Sequence, residues 1–272
     1  MTYAFPPGGL PDQTGDPAAS AAIFTSAYAV IPASVMRDIV AGPLPGWTQT
    51  RAWIIARPLS GFAETFAQYA VEVLPGGGSD SPEPDPQAEA ALFVAQGQMT
   101  LMLHGTAHVL TKGGYAYIPP GAIWTLANTG PTPLQFHWIR KRYSPAPGLN
   151  LPDPVITSDQ SMPVNWMPNT DNWGTTRFVD PADLRHDMHV NIVTFHPGGR
   201  IPFAETHVME HGLYVLQGTA NYLLNRDWVS VGPGDFMWLR AYCPQACIAT
   251  GTGRFRYLLY KDVNRHPSLT LP

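Results

Sequence analysis

Charge is scarce in this sequence of 272 residues, and it does not collect in one place. Charged residues make up 13% of the chain, the formal net charge is −4, and the densest basic cluster is Arg140, Lys141 and Arg142. A protein that binds nucleic acid needs a basic face to hold phosphates. The composition therefore argues against a nucleic-acid partner, and 44% apolar residues indicate a globular protein with a substantial core.

Cysteine is nearly absent, and long apolar runs are missing. The two cysteines, Cys243 and Cys247, lie four positions apart, which is neither the two-pair pattern of a structural zinc site nor the framework of a small secreted domain. The opening MTYAFPPGGLPDQTGD has no basic segment before an apolar core, and the next apolar stretch is interrupted by polar residues. We expect a protein of a reducing compartment, the cytoplasm, with neither signal peptide nor membrane span.

The sequence also lacks convincing long amphipathic helices. Its 25 Gly and 29 Pro residues make up about a fifth of the chain and cut it into short segments. Those segments, such as QMTLMLHGTAHVL, MHVNIVTF and FRYLLYK, are rich in β-branched and aromatic residues, and several alternate between apolar and polar positions. This pattern predicts an all-β sandwich or barrel.

An internal repeat divides the chain. Residues 91–130 align with residues 212–251 without a gap, so that Gly97 corresponds to Gly218 and Gly113 to Gly234. Two copies of one β-barrel module are implied. The predicted organisation is an N-terminal arm (1–27), a first barrel (28–143), a linker (144–180) and a second barrel (181–272).

The first copy carries a recognisable turn-and-strand pattern. Gly113, Pro119, Gly121, Trp124 and Asn128 follow the spacing G-x5-P-x-G-x2-H-x3-N, with Trp in place of the histidine. This resembles the second motif of the cupin family. Since the framework occurs twice, the resemblance implies a bicupin, which consists of two tandem jelly-roll β-barrels.

The stretch ETHVMEH in the second copy supplies candidate metal ligands. Alternation along a strand puts Glu205 and His207 on one face, and a short turn lets His211 join them. The fourth ligand position of the cupin pattern, aligned with Trp124, falls at Gln245. Two imidazoles, a carboxylate and an amide oxygen suit manganese or ferrous iron. An isolated histidine is more often a surface or core residue, but the complete spacing favours a metal site.

The first copy lacks this ligand set. Its counterparts of the four candidate ligands are Pro84, Pro86, Ala90 and Trp124. A register shifted by one residue gives Glu83, Asp85 and Glu89 for the first three, still without an imidazole. We therefore predict a metal-free first barrel. Cys243 and Cys247 flank Gln245, and we interpret them as small apolar core residues, with a role near the metal as the alternative.

A closer resemblance extends from about Tyr28 to Arg265. The E-x-H-x3-H set, the strand pair NxxWVxVxxGDxxWL, the Pro-Gln ligand and the terminus YLLYKDVNR resemble the (S)-ureidoglycine aminohydrolase family of manganese bicupins. The resemblance implies hydrolysis of (S)-ureidoglycine to (S)-ureidoglycolate and ammonia in purine (allantoin) catabolism. It also implies one Mn²⁺ per chain, in the second barrel.

The same resemblance implies roles for individual residues. The implied metal ligands are Glu205, His207, His211 and Gln245. Tyr257 and Lys261 are implied to contact the substrate, and Glu205 can also accept a proton, so these three form the predicted catalytic set. The segment DMHVN departs from the family pattern D-M-N-x-H by exchanging His189 and Asn191, which share a strand face and are predicted to line the substrate cavity.

The sequence is also compatible with other functions. The same ligands would serve a metal-dependent bicupin dioxygenase or isomerase acting on another small polar acid. A third hypothesis is a non-catalytic binding or storage bicupin, but the intact ligand set and the isolated Lys261 argue against it. We expect a small-molecule substrate and a homo-oligomer, because bicupins commonly assemble through strand edges.

Overall fold

The computed structural model of the protein describes residues 21–35, 44–58, 62–262 and 265. Within them the chain forms strands and connecting loops, which confirms the prediction of an all-β bicupin. None of the described segments forms a helix long and apolar enough to cross a membrane. The strands are β1 (Ile23–Phe24), β2 (Tyr28–Ile31), β3 (Trp47–Ala56), β4 (Ala67–Ser79), β5 (Ala88–Gln96), β6 (Gln98–Leu103), β7 (Thr106–Thr111), β8 (Gly114–Ile118), β9 (Trp124–Ala127), β10 (Leu134–Arg142), β11 (Val155–Ser158), β12 (Val164–Trp166), β13 (Trp173–Arg177), β14 (Met188–Phe195), β15 (His211–Gln217), β16 (Ala220–Leu224), β17 (Asp227–Val231), β18 (Phe236–Leu239), β19 (Gln245–Ala249) and β20 (Phe255–Asp262).

The two halves repeat one strand arrangement. In the first barrel a nine-stranded sheet runs β11-β8-β5-β10-β4-β9-β6-β7, with β3 paired to β4. In the second barrel an eight-stranded sheet runs β1-β2-β18-β15-β20-β14-β13-β12, and β17-β16-β19 form a smaller sheet. Strand β5 lies between β8 and β10, and its counterpart β15 lies between β18 and β20. The repeat seen in the sequence is therefore a repeat of strand pairing.

Alternation along the strands produces three hydrophobic cores. One core fills each barrel, and a third lies between the barrels. On β20, Tyr257 belongs to the core of the second barrel, whereas Leu258 and Tyr260 belong to the core between the barrels. Because neighbouring residues of a strand face opposite sides, one apolar strand serves both cores.

Strand pairing crosses the predicted domain boundaries. Strand β2, assigned to the first barrel from the sequence, pairs with β18 of the second, with Tyr28 opposite Leu239. The predicted linker supplies β11 to the first barrel and β12 and β13 to the second. Covering the edge of β18 removes an exposed row of backbone donors and acceptors. The boundaries themselves stay a prediction, and most of the predicted arm, residues 1–20, lies outside the described residues.

Glu89 and Glu210 are buried carboxylates at equivalent positions of the two halves. The Glu210 carboxylate accepts hydrogen bonds from the Thr65 amide at 2.9 Å and from Trp238 Nε1 at 2.6 Å. The Glu89 carboxylate accepts one from the Tyr117 hydroxyl at 2.7 Å, and its Oε1 has no hydrogen-bond partner among the described residues. Burial raises the pKa of Glu89 to about 8.

This raised pKa predicts that stability falls as pH rises. Below pH about 4.5 the carboxyl is protonated in both folded and unfolded chains, and its contribution is fully present. Above that pH the unfolded chain ionises first, so the contribution is lost as pH rises through about 8, at about 1.4 kcal/mol per pH unit at most. Urea unfolding from pH 5 to 9 should show this slope, and Glu89→Gln should flatten it. The exposed Glu64→Gln is the control, and parallel profiles for wild type and Glu89→Gln would refute the assignment.

Candidate metal centre

Two predicted ligands face each other across a short backbone bridge. Glu205 lies in the connection from β14 to β15, and Gln245 begins β19. The Glu205 amide donates to the Gln245 carbonyl at 2.9 Å, and the Gln245 amide donates to the Glu205 carbonyl at 2.9 Å. Residues paired directly across an antiparallel bridge project their side chains to the same face. The bridge therefore brings the carboxylate and the amide together, although they are 40 positions apart in the chain.

The two histidines continue from this bridge. His207 Nε2 lies 3.4 Å from Glu205 Oε1, and the ring centroids of His207 and His211 are 5.1 Å apart. The Tyr242 amide donates to the His207 carbonyl at 2.7 Å, which ties the ligand segment to the loop before β19. His211 opens β15 and is buried. The structure thus places His207 beside both Glu205 and His211.

His211 has the protonation state that a metal ligand requires. Burial, together with the nearby His207 and Lys261, lowers its pKa to about 3, so the ring is neutral at physiological pH. A hydrogen bond between the ring and the Met209 backbone engages one side of the imidazole. Metal-bound histidines commonly use one ring nitrogen in this way and coordinate through the other.

The donor chemistry fits a hard or borderline divalent cation, since a carboxylate, two imidazoles and an amide oxygen are its usual partners. Among the described residues, however, no group of three or more His, Cys, Asp or Glu side chains is arranged as a metal site. The predicted ligands meet in pairs, and their convergence on one ion remains a prediction. Cys243 and Cys247 lie in the apolar core of the second barrel, in agreement with the apolar interpretation.

The predicted substrate residues lie on the same inner face. His189 on β14 is opposite Lys261 on β20, and Lys261 is also opposite His211 on β15. Tyr257 is four positions before Lys261 on the same strand, opposite Val193 and Val215, and Asn191 is opposite Leu259. Three adjacent strands therefore bring His189, Lys261 and His211 into one row across the barrel.

Two buried side-chain atoms on the inner face of β14 have no hydrogen-bond partner among the described residues. They are Nε2 of His189 and Oδ1 of Asn191. Burial, followed by the nearby charge of Lys261, lowers the pKa of His189 to about 4. An unsatisfied buried polar atom is costly unless something else pairs with it. Both atoms are therefore available to a polar ligand inside the barrel.

Tyr222 is a further polar residue of the inner face that the sequence did not predict. Its hydroxyl donates to Gln245 Oε1 at 3.1 Å and is hydrogen-bonded to the Tyr257 hydroxyl at 3.2 Å. Tyr222 therefore connects a predicted metal ligand to a predicted substrate residue. The aligned position in the first copy is Leu101. This difference, a tyrosine in place of a core leucine, is the sequence signal that could have identified Tyr222.

In the first barrel, an ion pair occupies the corresponding position. Arg140 is opposite Ala90 as Lys261 is opposite His211, so Arg140 is the counterpart of Lys261. Its guanidinium pairs with the carboxylate of Glu83, which the shifted register aligns with Glu205. The guanidinium also lies 5.3 Å from the centroid of the Trp138 ring. That the first barrel binds no metal stays a prediction, and this ion pair gives it a physical basis.

A cavity of about 520 Å³ lies beside the ligand segment but is not lined by the predicted ligands. It opens between the turn before β2 and the loop before β19, and its wall includes Glu210, Arg240 and Cys243. The candidate site lies instead among the side chains inside the barrel, which combine predicted ligands, buried unpaired atoms and a cation.

Comparison with known proteins connects this arrangement to a family. The cupin domain family matches residues 69–140 and 191–260. (S)-ureidoglycine aminohydrolase of Escherichia coli is 31% identical over 230 residues, which are 84% of this chain and 86% of that protein. The enzyme of the same name from Arabidopsis thaliana is 31% identical over 229 residues, 84% of this chain and 74% of that protein. A Pseudomonas aeruginosa structure, described as a candidate glyoxylate-induced protein, is 60% identical with a TM-score of 0.90 and covers 100% of both chains.

Proposed function

We propose a function from the premise that this chain belongs to the cupin family and, within it, to the family of (S)-ureidoglycine aminohydrolases. The proposed reaction is the hydrolytic deamination of (S)-ureidoglycine to (S)-ureidoglycolate and ammonia, in the breakdown of purines through allantoin. The observation that carries the proposal is similarity to aminohydrolases over 84% of the chain. The inner face of the second barrel supports it with a set of groups suited to a small polar acid.

In this proposal Glu205, His207, His211 and Gln245 hold one divalent ion, Mn²⁺, in the second barrel. When bound, the ion would supply Lewis acidity toward the substrate or a water molecule. The neutral state of His211 and the bridge between Glu205 and Gln245 prepare these donors for a cation. The Glu205 carboxylate can also accept a proton.

The remaining groups bind and orient the substrate. The ammonium of Lys261 can pair with the substrate carboxylate, because none of the ion pairs between described residues includes Lys261. Burial raises the pKa of Tyr257 well above its ordinary value, so its hydroxyl stays protonated and can donate a hydrogen bond. The unpaired Asn191 Oδ1 can accept from an N–H of the ureido group.

Tyr222 predicts a measurable effect on metal affinity. Replacement by Phe removes the hydroxyl that donates to Gln245 Oε1 and keeps the ring that packs in the core. Partners of this kind typically contribute 10- to 100-fold to metal affinity or activity. We expect Tyr222→Phe to weaken Mn²⁺ binding by roughly tenfold or more in a competition titration with a chelator. An unchanged affinity would separate Tyr222 from the metal site.

The reaction itself is tested with freshly generated ureidoglycine, with and without Mn²⁺. Ammonia release and the chirality of ureidoglycolate are followed together. Spontaneous decay of ureidoglycine yields racemic product, so enrichment of the (S)-enantiomer in a protein- and metal-dependent manner is the expected result. Racemic product at the uncatalysed rate would refute the proposal. Oxygen consumption with candidate small acids would instead favour the dioxygenase alternative.

We also propose that the chain forms a homo-oligomer and acts in the cytoplasm. The first proposal is tested by light scattering of the eluted protein and the second by fractionation of cells. A mass equal to one chain of 29.7 kDa would overturn the first.

A further inference from the structure

Arg177 is a second cation beside the row of His189, Lys261 and His211. It ends β13, and strand pairing places it directly opposite Asn191. Residues directly opposite each other in an antiparallel pair project to the same face. Asn191 is in turn opposite Leu259, which is two positions from Lys261 on β20.

Alternation along β13 confirms that Arg177 belongs to the inner face. Trp173 stacks on Phe195 inside the second barrel, with ring centroids 5.9 Å apart. Arg177 is four positions from Trp173 and therefore projects to the same side. The next residue, Phe178, packs instead into the core between the barrels.

Arg177 and Lys261 are close enough to affect one another. The charge of Arg177 is, after burial, the second cause that lowers the pKa of Lys261, and it also contributes to lowering that of His189. One strand, β14, lies between β13 and β20, so the Cα positions of Arg177 and Lys261 differ by two strand spacings and a two-residue offset, roughly 12 Å in all. Two long side chains can span this distance from opposite sides of a small ligand.

Neither cation is neutralised within the described part of the chain. Asp262, the acid nearest to Lys261 in sequence, faces the other side and accepts from the Glu210 amide at 2.9 Å. The ion pairs of the described residues use other cations, namely Arg51, Arg140, Lys141, Arg185, Arg256 and Arg265. Two unpaired positive charges on one inner face, next to the unpaired Asn191 Oδ1, describe a site for an anion that also carries N–H groups.

We infer that Arg177 binds the carboxylate of the substrate together with Lys261, and that this pair makes a carboxylate a requirement for binding. The inference rests on the proposed function and adds to it a specificity-determining residue. A guanidinium can hold a carboxylate with two parallel hydrogen bonds, which fixes its orientation, whereas an ammonium acts mainly as a point charge. Arg177 would thereby set which end of the substrate faces Lys261 and which faces Asn191.

Two stable probes separate the carboxylate from the rest of the substrate. N-carbamoylglycine has a ureido group and a carboxylate, and N-carbamoylglycinamide replaces only the carboxylate with a neutral amide. Calorimetric titration of the Mn²⁺-loaded protein should show tighter binding of the acid by about tenfold or more. Arg177→Met should remove most of this preference, and Arg177→Lys should restore part of it. Arg254→Met, at an exposed arginine before β20, should keep the wild-type preference.

The outcomes separate this inference from the proposed reaction. Equal binding of acid and amide by wild type, or an undiminished preference in a folded Arg177→Met variant, would overturn the role of Arg177. Failure of wild type to release ammonia from ureidoglycine, with the Arg177-dependent preference intact, would refute the reaction and leave the carboxylate site standing. With ureidoglycine itself, Arg177→Met should raise KM about tenfold and lower kcat less, because Arg177 would contact the substrate in the ground state as well as in the transition state.

Discussion

Replacing His211 by Ala is expected to abolish manganese binding and ammonia release together. The imidazole is buried, neutral and close to His207, so its loss removes a proposed ligand that no neighbouring side chain replaces within the described residues. Lewis-acid assistance contributes several kcal/mol to a reaction of this type, which corresponds to a loss of roughly a thousandfold in kcat. Gln245→Ala is expected to act in the same direction, because Gln245 lies across the bridge from Glu205.

The measurement is bound manganese per chain after dialysis, alongside the rate of ammonia release. His104→Asn is a matched control, because His104 is an exposed histidine in a turn of the first barrel with a φ of 48°, which Asn tolerates. The control should keep one ion per chain and full activity. Full activity of His211→Ala without metal would rule out a metal-dependent reaction at this site, and an unchanged melting temperature would show that the variant is folded.

The barrel and most of its inner face could be predicted from sequence because both follow from alternation. A strand with period two has only two faces, so assigning Tyr257 and Lys261 to one face needs no knowledge of the rest of the fold. The repeat then supplied the partner of the ligand segment, since the alignment with Trp124 identified Gln245. The bridge between Glu205 and Gln245 is the structural counterpart of that alignment.

Contacts between distant segments could not be predicted in this way. The strand Tyr28–Ile31 is apolar and could cover the edge of either barrel, and only the assembled fold shows that it pairs with β18. Arg177 was overlooked because it lies in a segment interpreted as a linker. Strand β13, paired to β14, carries it to the inner face. The composition that suggested a linker reflects the loops of this segment and does not reveal the short strands between them.

The first-barrel counterpart of the proposed metal site escaped prediction for a related reason. The aligned register set prolines opposite Glu205 and His207, and only the register shifted by one residue gives Glu83. Nothing in the sequence says that this carboxylate is paired with Arg140 inside the first barrel. Glu83, which the shifted register aligns with the predicted ligand Glu205, is thus still a carboxylate, and its partner is the guanidinium of Arg140.

The Glu83–Arg140 pair should therefore be a strong determinant of stability. Burial raises the pKa of Glu83 although Arg140 opposes the shift, so this carboxylate depends on its partner to remain ionised. Arg140→Met leaves it buried without a cation, and loss of one member of a buried pair typically costs about 3–5 kcal/mol. Because the Arg140 side chain is 21% exposed, we expect a loss near the lower end, about 3 kcal/mol, in urea unfolding at pH 7.5.

A double-mutant cycle distinguishes the ion pair from simple packing. Arg140→Met combined with Glu83→Gln should recover much of the lost stability, because no charge remains buried without a partner. The loss in the single variant Arg140→Met should also shrink toward pH 5, since protonation of Glu83 then removes the unpaired charge. Arg254→Met, at an exposed arginine, should change stability little at either pH. Additive effects of the two substitutions would mean that the side chains contribute independently, and the first barrel would then owe its stability to its apolar core alone.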